Sequence, residues 1–96
     1  MKKLLVVALF AGCGVGGPPH ATVADAERSN VAMDELERGR SLLVSKCGAS
    51  CHTAPLPSQH TALEWPAKLD EMSARSNLNA GQRRLIEEYL VTMSRQ

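Results

Sequence analysis

The sequence predicts an all-α domain of about three helices, and three observations support this. Apolar residues recur at helical spacing in three separate stretches. A helix-starting residue stands ahead of each stretch, and no stretch alternates apolar with polar residues as a half-buried strand does. The chain has 96 residues, enough for one small domain.

The first helix is expected over residues 31–46. Met33, Leu36, Leu43 and Val44 fall on one broad face, Arg38 and Arg40 point elsewhere, and Asn30 is the expected N-cap. Gly39 lies inside this stretch, where glycine costs about 1 kcal/mol relative to alanine. Its presence there predicts close approach by another element.

Residues 47–58, with Gly48, Pro55 and Pro57, read as loop. Thr61-Ala62-Leu63-Glu64 then has the form of a capping box, and the helix behind it sets Trp65, Leu69 and Met72 on one face. Pro66 conflicts with a start at Thr61, because its missing N–H would fall where a helical bond is due. A start two or three residues later removes the conflict. The last helix opens on Asn79-Ala80-Gly81-Gln82, an N-cap with Gln at N3. It carries the apolar stripe Leu85, Ile86, Tyr89, Leu90 and Met93, with Arg83 and Arg84 outside it.

The beginning of the chain has the layout of an export signal. Lys2 and Lys3 precede seven apolar residues, Leu4 to Phe10, too few for a bilayer span of roughly 20. Leu9-Phe10-Ala11-Gly12-Cys13 resembles a bacterial lipobox, with Phe10 standing where Leu or Val is usual. The expected organisation is a lipoprotein-type signal over residues 1–12 and a lipid-bearing Cys13. A flexible Gly- and Pro-containing tether over 13–30 and a domain over 31–96 follow. His20 lies in the tether and is given no role. The alternative is an ordinary signal cleaved after Ala24.

With the signal removed, nine Lys and Arg face ten Asp and Glu, which argues against a nucleic-acid binder. Only two aromatic residues remain, Trp65 and Tyr89. A domain of this size is marginal on burial alone and needs an added stabilising element. An apolar prosthetic group would complete such a core.

Cys47-Gly48-Ala49-Ser50-Cys51-His52 points to one. Two cysteines followed at once by histidine is the arrangement that attaches haem c, usually with two intervening residues where this chain has three. The thiols add to two vinyl groups on the porphyrin edge, and the adjacent imidazole turns to the iron. The three intervening residues are small, so one extra can be looped out at little steric cost. Two other chemistries fit the same residues: a Cys47–Cys51 disulfide, and a zinc site with His60 as fourth ligand.

The order helix, Cys-x-x-x-Cys-His, Pro, Trp, Met and closing helix resembles the small monohaem class I c-type cytochromes. It is nearest the bacterial group in which a Trp and a Met follow the attachment motif. Trp65 is thirteen residues after His52, and Met72 seven after Trp65. The resemblance covers residues 33–93. It implies a small cytochrome c fold, with Cys47 and Cys51 fixing one covalent haem, His52 as proximal ligand and Met72 as distal ligand. His60, Met93 and Met33 are the competitors for the distal position. The resemblance further implies that Trp65 packs on the haem and donates its indole N–H to a propionate, and that Gly39 meets Tyr89 at a helix crossing. A carbonyl of the Pro55 loop is expected to accept from His52 Nδ1.

The function so implied is single-electron transfer between exported redox partner proteins, on the periplasmic or cell-surface side of a membrane. The protein is held there through Cys13 and transforms no substrate. The alternatives are a haem-based gas binder with a weak sixth ligand and a haem-free, disulfide-stabilised lipoprotein.

Overall fold

Four α-helices organise the computed structural model, which describes residues 17–47 and 54–94: α1 (Val23–Ser29), α2 (Met33–Leu42), α3 (Trp65–Ser76) and α4 (Ala80–Met93). A π-helical turn, Leu43–Cys47, continues α2, and a 3-10 turn, Pro57–Gln59, precedes α3. No strand occurs among the described residues, so the fold is all-α. None of the described helices is long and apolar enough to cross a membrane.

Helix α4 forms as its residues dictate. Asn79 Oδ1 accepts from the Gln82 amide at 2.8 Å, and Gln82 Oε1 accepts from the Asn79 amide at 3.0 Å, so the box satisfies two donors reciprocally. Leu85, Ile86, Tyr89 and Leu90 are buried along one stripe.

Helix α2 lies across that stripe, the most extensive pairing of elements in the molecule. Gly39 is where the two meet. A Cβ there would overlap the Leu85 carbonyl oxygen and sit 2.9 Å from Tyr89 Cβ. The close approach predicted from Gly39 is therefore present, and its neighbours are Leu85 and Tyr89.

Helix α3 starts at Trp65 with Pro66 in its first turn, where a missing N–H costs nothing because the first four amides have no helical acceptor. The later start follows from Pro66, and Glu64, not Thr61, is the N-cap. Half of the expected box survives: Glu64 Oε1 accepts from the Thr61 amide at 2.9 Å.

Two expectations need correction. Asn30 does not cap α2; it ends α1 in the left-handed conformation (φ 59°), a geometry asparagine tolerates better than most residues, while Ala32 begins α2. The described part of the expected tether, residues 17–30, is packed on the domain. Thr22 and Asp25 form a capping box for α1, and the Thr22 amide, with help from Arg28, holds the Asp25 carboxyl below its usual range. Arg40 Nε donates to the Pro18 carbonyl at 2.9 Å and the Tyr89 hydroxyl donates to the Pro19 carbonyl. Arg28 reaches the Thr92 carbonyl at 2.9 Å, and Pro18 and Ala21 are buried. Residues 17–30 thus form a strap over the α2–α4 crossing.

The core gathers Leu43, Cys47, Trp65, Leu69, Ile86, Tyr89 and Leu90. Each such side chain contributes on the order of 1.5–3 kcal/mol on leaving water.

Candidate cofactor cleft

The end of α2 brings the first motif cysteine inward. Cys47 closes the π-helical turn four residues after Leu43, and both are buried against Trp65 and Leu69. The other motif residues, Cys51 and His52, lie outside the described residues, as does Cys13. The described chain resumes at Ala54 and Pro55, beside Cys47.

Cys47, Ala54 and Pro55 form one side of a cleft of about 250 Å³. Met72, Arg75 and Ser76, at i, i+3 and i+4 on one face of α3, form the other, and Gln59 of the 3-10 turn completes the lining. The cleft is more enclosed than the larger grooves along α4 and α2, whose walls are mostly charged or hydroxyl side chains. Its own walls carry a thiol, a thioether, apolar carbons and two nitrogen-bearing side chains, with no carboxylate among them.

Met72 is the methionine that the structure brings to Cys47. It is half-buried and packs against the core cluster while lining the cleft. Met33 lines a different groove beside α1, with Val23 and Ala26. Met93, at the end of α4, packs on the core and does not line the cleft. His60 is held at the entrance of α3, its ring edge-on to Trp65 with centroids 4.9 Å apart and its Nδ1 3.6 Å from Glu64 Oε1. Among the described residues no group of three or more His, Cys, Asp and Glu is placed to hold a metal ion.

Trp65 lies behind the cleft, in the core with Cys47. Its indole N–H donates to the Pro57 carbonyl at 3.1 Å in a buried bond. An indole carries a single donor, and in this structure the Pro57 carbonyl takes it. The Pro55 loop does line the cleft; its carbonyl's bond to His52 falls on a residue outside the described ones.

Sequence reasoning missed Arg75, Ser76 and Gln59. The first two were available from helical spacing alone, since residues three and four after Met72 share its face. Gln59 depends on the 3-10 turn, which no periodicity announces.

Comparison with protein-family models, with curated proteins and with solved structures returns no match.

Proposed function

We propose that this chain is a small c-type cytochrome domain that carries single electrons on one covalently attached haem. The observation that supports it is the cleft itself. Cys47 and Met72 lie 25 positions apart on different helices, yet both line it. The chain leaving Cys47 towards Cys51 and His52 returns to the same cleft at Ala54 and Pro55.

The donor set fits a tetrapyrrole iron. On this reading Cys47 and Cys51 would hold the ring through thioether bonds, and His52 and Met72 would supply an imidazole nitrogen and a soft thioether sulfur to the iron. The haem, when bound, supplies a one-electron iron couple, and thioether ligation with apolar surroundings raises its potential. The protein's own part is to hold that thioether on a helix face and keep water away. Trp65, Leu69 and Leu43 back the cleft with fully buried carbon. With both His52 and Met72 holding the iron, the proposed role would be carriage of an electron.

The same reading places the domain outside the cytoplasm, anchored through Cys13 and exchanging electrons with other redox proteins. The domain requires no nucleic acid.

The test is a visible spectrum, oxidised and reduced, of the full chain produced with a cytochrome c maturation system and extracted with acid-acetone. Haem that resists extraction, with the charge-transfer band of Met–iron ligation in the oxidised form, is the expected result. Covalent haem that lacks that band and readily binds carbon monoxide when reduced would move the function to gas binding. Complete loss of haem on extraction would refute the cytochrome reading and favour the disulfide.

A further inference from the structure

Helix α1 buries none of its residues and turns apolar ones outward. Val23, at its first position, is 63% exposed, and Val23, Ala26 and Glu27 share one face at i, i+3 and i+4. With Val31 and Met33 they line a groove of about 410 Å³ in which Glu27 supplies the single carboxylate. Charges next to this face are satisfied within the molecule: Arg28 pairs with Asp25 at 2.9 Å and His20 with Glu37 at 3.3 Å. Apolar contact is therefore what the face has to offer.

The strap determines what lies nearest to it. Gly17 follows Cys13 by four residues, so a lipid on that cysteine lies within about 14 Å of Gly17 however the chain between them runs. From there the strap is laid along α2 towards its start, with Pro18 on Arg40 and His20 on Glu37, and delivers α1 beside Met33. A free tether over 13–30 would let the domain range about 60 Å from its anchor. The bonds of Arg40, Tyr89 and Arg28 to the Pro18, Pro19 and Thr92 carbonyls remove most of that reach. We propose that the face formed by Val23, Ala26, Val31 and Met33 rests on the surface of a lipid bilayer, so that the strap sets the orientation of the domain on its membrane. The inference rests on reading Cys13 as the lipid site. Apolar side chains of an anchored, amphipathic helix settle at the boundary between headgroups and acyl chains, and a carboxylate such as Glu27 remains among the headgroups.

The experiment uses the lipidated, haem-loaded full chain, reduced, in nanodiscs of phosphatidylethanolamine and phosphatidylglycerol carrying a gadolinium-chelate lipid. Methyl line broadening is read at Val23, Val31 and Met33 and, as exposed residues away from α1, at Val44 and Leu56. Broadening at the first three should exceed that at Val44 and Leu56 at least about threefold, as expected for side chains seated 5–10 Å into the interface, and should survive added salt. Val23→Asp keeps α1, because an acidic residue at the first helical position suits the helix dipole; it should bring Val31 and Met33 down to the level of Val44 while the chain stays on the disc. Even broadening at all five methyls, or stronger broadening at Val44 and Leu56, would overturn the inference and leave the anchor standing. A Val23 signal that shifts with protein concentration in detergent would also overturn it, assigning the face to a second copy of the chain. A wild-type chain that carries no acyl groups by mass and does not stay with the discs would overturn the reading of Cys13, and the inference with it.

Discussion

Gly39→Ala places one methyl group where α2 and α4 touch, and the structure allows its cost to be worked out. The new Cβ would overlap the Leu85 carbonyl oxygen, lie 3.0 Å from the Leu85 carbonyl carbon and lie 2.9 Å from Tyr89 Cβ. Two of these obstacles are main-chain atoms inside a helix, and the third belongs to a fully buried side chain, so none can rotate away. Relief requires α2 to move off α4 by about 1 Å to restore ordinary carbon contacts, and such a gap forfeits a quarter to a half of the contact attraction. The loss falls on the buried residues around the crossing, Leu36, Leu43, Ile86 and Leu90. Alanine returns about 1 kcal/mol of helix propensity, while overpacking costs about 1–3 kcal/mol and at times more. Overlap with a backbone oxygen sets this site at the upper end or beyond. The expected net loss is about 2 kcal/mol, or roughly 8–16 °C in Tm for a domain of this size. Thermal melts of wild type, Gly39→Ala and Gly39→Val, followed by far-ultraviolet circular dichroism, measure it, with the valine variant lower still. An alanine variant that melts at or above wild type would refute the argument, because propensity would then outweigh a contact too loose to matter.

Tyr89→Phe removes the hydroxyl that donates to the Pro19 carbonyl and should cost about 1 kcal/mol, read as a lower urea midpoint at unchanged m-value. An unmoved midpoint would show that the strap adds nothing to stability. Met72→Ala in the haem-loaded chain should open the sixth position, so that the reduced form takes up carbon monoxide where wild type resists it; equal uptake by both would remove Met72 as a ligand. Burial, then the neighbouring Glu35, holds Glu88 above its ordinary 4.5. A raised carboxyl pKa gives a contribution to stability that is present below 4.5 and lost as pH rises through the raised value. Glu88→Gln should therefore flatten the decline above pH 4.5, and a denaturation profile parallel to wild type there would contradict the assignment.

Helix α4 was legible because its cap and its stripe are both local: Asn79 and Gln82 announce the start, and four buried residues follow at helical spacing. Helix α3 was legible up to the competition between Thr61 and Pro66, which the proline decides by steric exclusion of an early start. Asn30 misled because two of its preferences conflict: as an N-cap it would open α2, but its tolerance of positive φ closes α1 instead. Helix α1 escaped a periodicity search because it buries no residue, and its capping box uses Asp25 where Glu or Gln is the usual signal. In the cleft, the shared face of Met72 and Arg75 follows from helical register. That Trp65 spends its N–H on Pro57 does not, since it depends on a 3-10 turn folding back over α3.

The two aromatic side chains divide the core between them, and the division bears on why the cleft lies where it does. Tyr89 works at the α2–α4 crossing, where Gly39 lets main chain meet main chain and the strap is fastened by Arg40, Arg28 and the tyrosine hydroxyl to three carbonyls. At Gly39 that edge is closed by main chain. Trp65 works where α3 meets the end of α2, and the seal there combines buried side chains with the indole bond to the Pro57 carbonyl. It runs out past Cys47 into a space bordered by half-exposed Ala54 and Met72. Among the described residues no large aromatic side chain lines that cleft, and Cys47 and Met72 both border it. A flat apolar ligand bound there would add burial where the polypeptide provides none.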